Sequence, residues 1–77
     1  MKNQLRIGQT VRLTEDAILG TYSLGVVDSI TTSEGYAVTE IDLEELWDTE
    51  GTVGIKPTKE IDYDHWVYGV TVKSIVS

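Results

Sequence analysis

Apolar residues recur at every second position in several short stretches, and at helical spacing in only one. Ile7, Val11 and Leu13 share a strand register with Gln9, while Arg12 falls on the opposite face. Residues 24–31 (LGVVDSIT) and 35–42 (GYAVTEID) predict a second and a third strand. TTSEG between them makes a short hairpin connection, with Gly35 free to adopt a positive φ. GTVGIK, residues 51–56, predicts a fourth strand bounded by Gly51 and Pro57. WVYGVTVKSIV, residues 66–76, is the strongest strand signal, β-branched and aromatic throughout. As one unbroken strand it places Trp66, Tyr68, Val70 and Val72 on one face and Val67, Gly69, Thr71 and Lys73 on the other. Residues 15–25 (EDAILGTYSLG) have no clean period and are closed by two glycines, which predicts a long excursion between strands. Its apolar members Ile18, Leu19, Tyr22 and Leu24 are expected to fold back on the body, where Ile18 and Leu19 serve either the core or a partner.

The helical exception is EIDLEELWDTEG, residues 40–51, in which six of twelve residues are carboxylates. Leu43, Leu46 and Trp47 have i, i+3, i+4 spacing and share one face of a helical turn. Asp42 stands where it caps that turn, and Glu45 follows at capping-box distance. A strand here would turn Glu45 inward with Ile41, Leu43 and Trp47, and an unpaired buried carboxylate costs several kcal/mol. The short helix or 3-10 turn is therefore preferred. It plugs the core with Leu43, Leu46 and Trp47 and leaves Glu44, Glu45 and Asp48 facing solvent.

Five short strands and one helical or 3-10 turn in 77 residues predict a mainly β fold, a small five-stranded barrel, as a single domain over residues 1–77. In so small a barrel Trp47, Tyr63, Trp66 and Tyr68 are expected in the core. The competing arrangement gathers them with nearby acids into a cage for a cationic side chain. IGQTVRL, then a loop, LGVVDSI, a hairpin turn and YAVTEI together resemble the opening half of SH3-like small barrels of the KOW-like kind. Those begin with a Gly before a Val-rich strand, then a Gly-x-Val strand and a paired third strand. The resemblance covers about residues 7–42 and implies the fold. It does not carry the family's activities, because KOW-type binders of RNA or ribosomes are basic. The ALYDY-type segment and the Pro-containing segment of signalling SH3 domains are also missing here.

Charge narrows the function. Thirteen acids against six bases give a net charge of −7, and nine of the acids lie within residues 40–64. No cluster of Lys or Arg is present to hold phosphates, so direct nucleic-acid binding is disfavoured, while a field of this sign draws in a basic partner. The chain has no Cys, which removes disulfides and thiol chemistry. No D-x-D-x-D-G loop occurs, and His65 in DYDH (62–65) has no second nitrogen ligand, so no metal or cofactor is predicted. No nucleophile elbow accompanies His65, and the chain reads as a non-enzyme. Nothing resembles a membrane span or an export signal, so a cytoplasmic location is expected. Together these features predict a small acidic module that binds a protein through the 15–24 loop and the 40–50 segment, with Ile18, Leu19, Tyr22, Glu44, Glu45 and Asp48 as contact residues. The alternative is an inhibitor or immunity-type protein of phage or plasmid origin, whose carboxylates mimic nucleic acid and block a basic protein surface.

Overall fold

A computed structural model of the chain describes residues 3–14, 23–57, 59, 62 and 64–77. The fold is mainly β, with two sheets and one short helix. The elements in order are β1 (Gln4–Arg6), β2 (Thr10–Leu13), β3 (Ser23–Thr31), β4 (Ala37–Val38), β5 (Glu40–Asp42), α1 (Leu43–Asp48), β6 (Thr52–Ile55), β7 (His65–Tyr68), a 3-10 turn (Gly69–Thr71) and β8 (Val72–Ile75). β1 and β5 form a two-stranded antiparallel sheet. The main sheet runs β7-β6-β3-β2-β8, with β4 added beside β3. Among the described residues this sheet does not close into a barrel: β7 and β8 lie at opposite edges, and the 3-10 turn joins them in sequence.

Three local features set this layout. At the N-terminus, Gly8 adopts φ +96° and breaks the expected strand. The break separates β1 from β2, buries Leu5 and leaves Ile7 exposed. Within β3, the register against β6 slips between Val27 and Ser29, so Asp28 is the extra residue of a β-bulge. Burial follows the slip: Gly25 and Val27 face inward on one side of it, and Ile30 does so on the other. One long strand can thereby bend and serve β2 with its first half and β6 with its second. The hairpin after β3 forms as the sequence predicts, with Gly35 at φ +92° and its N–H donating to the Thr32 carbonyl. The third predicted strand divides at Thr39, however, and its halves join different sheets.

The core is aliphatic. Leu5, Val11, Leu13, Val27, Ile30, Ile41, Leu43, Leu46, Val53, Ile55, Val67 and Val72 form one cluster, and no buried side chain in it is polar. The expectation that aromatics fill the core is overturned for every aromatic the structure describes. Tyr36, Trp47, Trp66 and Tyr68 are all exposed, and Tyr22 and Tyr63 lie outside the described residues. For Trp66 and Tyr68 the cause is the break at Gly69. β7 ends there with Val67 inward and Trp66 and Tyr68 outward, and β8 restarts with Val72 inward. A continuous strand would have kept Trp66, Tyr68 and Val72 on one face.

Candidate binding site

The site grows from the acidic segment. Asp42 sits in extended backbone ahead of α1, and its Oδ1 accepts the Glu44 N–H at 3.3 Å. Glu44 and Glu45 occupy the first turn, where the helix dipole favours negative charge. At the other end the Thr49 N–H and Oγ both donate to the Glu45 carbonyl, at 3.1 and 3.0 Å. No basic residue stands in the last turn to offset the dipole's negative end, and Asp48 adds to it. α1 thus presents an acidic outer face that becomes least compensated toward its C-terminus.

The inner face explains why a hollow forms beside that end. Leu43 and Leu46 are buried, as their spacing predicts. Leu46 wedges between the chain at Gly51 and the chain at Gly69. A Cβ at Gly51 would meet Leu46 Cδ1 at 2.9 Å, and one at Gly69 would meet Leu46 Cγ at 2.5 Å. The Gly69 N–H donates to the Gly51 carbonyl at 2.9 Å and clamps the two segments together. Only glycine permits this approach, so α1 and the 3-10 turn lie against each other with little side chain between them. Trp47 is not part of the plug. It is 38% exposed, and its indole Nε1–H donates to the Val72 carbonyl at 2.8 Å. That bond ties α1 to the start of β8 and holds the ring at the surface.

Between these elements lies a concavity of about 540 Å³, whose lining includes Trp47 and Tyr68, Asp48 and Glu50, and Gly51 and Gly69. Tyr68 is 59% exposed and meets Trp66 edge-on, with ring centroids 5.1 Å apart and planes at 85°. Trp66 therefore supports Tyr68 from outside the concavity. The aromatic cage weighed from sequence is divided: Trp47 and Tyr68 share a hollow, Trp66 borders another, and Tyr63 falls outside the described residues.

Of the contact residues expected from sequence, Glu44, Glu45 and Asp48 are exposed on α1, and only Asp48 edges the concavity. Ile18, Leu19 and Tyr22 lie outside the described residues. Sequence reasoning weighed Trp47 and Tyr68 with nearby acids as a cage, but missed Glu50 and Gly69 as members of a common site. The one available signal was Gly69, whose interruption of a β-branched run marks a close backbone approach.

A second concavity, of about 400 Å³, lies where the β3 bulge meets the start of β7 and includes Asp28, Ser29, Asp64, His65 and Trp66. Here the Asp64 carboxyl is raised above its ordinary value of 3.8. The main cause is a side-chain hydrogen bond with Asp28, followed by desolvation and by repulsion from the Asp28 charge. His65 and Lys56 act in the opposite sense. No group of three His, Asp or Glu among the described residues is placed to hold a metal ion. No helix among them is long and apolar enough to cross a membrane. Comparison of the chain with protein-family models, curated proteins and solved structures gives no match in any of the three.

Proposed function

We propose that the chain is an acidic protein-interaction module that acts in the cytoplasm by binding a partner, without chemistry, through a face built on an SH3-like β scaffold. The strand order supports the scaffold. β2, β3, β6 and β7 follow one another across the sheet, and β8 returns beside β2. Because a three-residue turn links β7 to β8, the two outer edges approach each other at that end, as in a barrel with one open seam. The observation that carries the binding reading is the exposed row Glu44, Glu45 and Asp48 beside an aromatic-lined hollow. A rigid, glycine-clamped surface of this kind is suited to recognition, since ordering it on binding costs little.

The test is capture of partners from the native host with wild-type chain and with the Glu44→Gln/Glu45→Gln/Asp48→Asn variant, at low and high salt. The expected result is a partner retained by the wild type, lost by the variant, and released steeply as salt rises. A partner that survives neutralisation and salt but is lost on Leu19→Asp would move the interface to the 15–24 loop and overturn the acidic face. The same row supports a second reading, an inhibitor of phage or plasmid type that mimics nucleic acid. In that case the captured protein is a nucleic-acid binder, and duplex DNA competes with the chain for it.

A further inference from the structure

We infer that the concavity between α1 and the 3-10 turn receives the guanidinium of an arginine side chain from the partner protein. This rests on the binding-module reading and names the chemistry of its central contact. Three features of the hollow converge on a planar cation. Trp47 and Tyr68 both line it, and aromatic rings attract cations, with arginine favoured because its plane can stack on a ring. Its lining includes Asp48 and Glu50, and carboxylates pair with the guanidinium fork through charge-assisted hydrogen bonds. No basic residue among the described ones lines it, and the C-terminal end of α1, with no basic residue in its last turn, borders it. Its volume of about 540 Å³ lies within the ordinary range for small-ligand sites, so a whole arginine side chain and adjoining main chain fit. The hollow is also preformed. Trp47 is held by its bond to Val72, Tyr68 rests against Trp66, and Gly51 and Gly69 are clamped together. Lysine would gain less, because its ammonium is more strongly hydrated and cannot stack as a plane.

The second concavity does not share this chemistry. Asp28 and Asp64 interact there, and His65 and Lys56 already offset the negative charge at Asp64. An incoming cation there would have to displace contacts that the chain itself supplies.

The experiment is a nuclear magnetic resonance titration of the chain with N-acetyl-arginine methylamide, its lysine counterpart and its citrulline counterpart, a neutral near-isostere. The arginine compound is expected to shift the Trp47 indole N–H and the Tyr68 amide saturably, with a dissociation constant on the order of 1–10 mM. Lysine should bind several-fold more weakly and citrulline not at all. Absence of saturable shifts with arginine, or equal shifts with citrulline, would overturn the proposal. Two charge-matched variants separate a local site from the general field. Asp48→Asn/Glu50→Gln should weaken arginine binding about tenfold, and Glu44→Gln/Glu45→Gln less than about twofold. Equal weakening by both pairs would also overturn it. The Trp47 indole signal, fixed by its hydrogen bond to Val72, reports that each variant is folded. Failure here leaves the binding module standing if capture through Glu44 and Glu45 persists, so the two readings fail separately.

Discussion

The two concavities contain similar residue types and differ in what those residues do for one another. Each has a tryptophan and two carboxylates. At the first, Trp47, Asp48 and Glu50 stand at the end of a helix with no described basic residue among the lining, beside two glycines pressed on Leu46. At the second, Asp28 at the bulge interacts with Asp64 and raises its pKa, while His65 and Lys56 act in the opposite sense. The same composition therefore yields carboxylates with no described base among the lining in one place and carboxylates with His65 and Lys56 acting on them in the other. Charge counting along the chain cannot distinguish them, because compensation depends on which residues the fold brings within a few ångströms.

The contrast can be broken most forcefully at Leu46. Leu46→Ala removes the wedge between Gly51 and Gly69 and should lower stability by about 2–5 kcal/mol in urea unfolding, since the residue is fully buried. If the concavities are independent, the Trp47 indole signal should move while Trp66 stays in place. A coincident shift of both would show one continuous site. A smaller effect is expected from Asp42→Ala, which removes the cap of α1 and should cost about 0.5–2 kcal/mol. Circular dichroism and amide exchange should show α1 fraying with the sheet intact, and an unchanged exchange rate at Glu44 would mean the cap contributes nothing.

The smallest effect belongs to the second concavity and is a matter of pH. Because the folded-state pKa of Asp64 lies above its ordinary value of 3.8, the folded chain holds that proton more tightly than the unfolded one. The resulting stabilisation is complete below pH 3.8 and is lost as pH rises through the folded-state value. Asp64→Asn should therefore flatten the dependence of the urea midpoint on pH just above that value, and should not weaken the chain at neutral pH. A wild-type midpoint with the same pH profile as the variant would remove the Asp28–Asp64 contact from the account. Solvent exposure of the pair keeps the effect slight.

Much of the local structure was legible from spacing. Leu43, Leu46 and Trp47 carry helical period in a β-rich chain, and Asp42 precedes them where a cap belongs, so the start of α1 could be placed. The Gly35 hairpin and the strands at 24–31 and 51–56 followed from alternation and turn residues in the same way. These features depend on neighbours three or four positions apart, and such neighbours interact in any context. The breaks were much less legible, with Gly69 itself the one signal. Gly8 and Gly69 stand within β-branched runs that read as continuous, and the extra residue at Asp28 reverses the inward face without changing composition. The break at Gly69 and the bulge at Asp28 are decided by contacts distant in sequence. Gly69 must admit Leu46, and β3 must bend to reach both β2 and β6.

The amino-acid sequence by itself therefore determined the mainly β character, the single capped helical turn, the outward acids on it and the shortage of bases. All of these rest on period, propensity and charge, which act locally or sum over the chain. Tertiary structure alone decided that the described aromatics lie at the surface, that Trp47 and Tyr68 line one hollow with Asp48 and Glu50, and that Asp28 finds Asp64. The physical reason is that close packing between remote segments chooses which face of a strand is buried, and one glycine or one bulge is enough to reverse it.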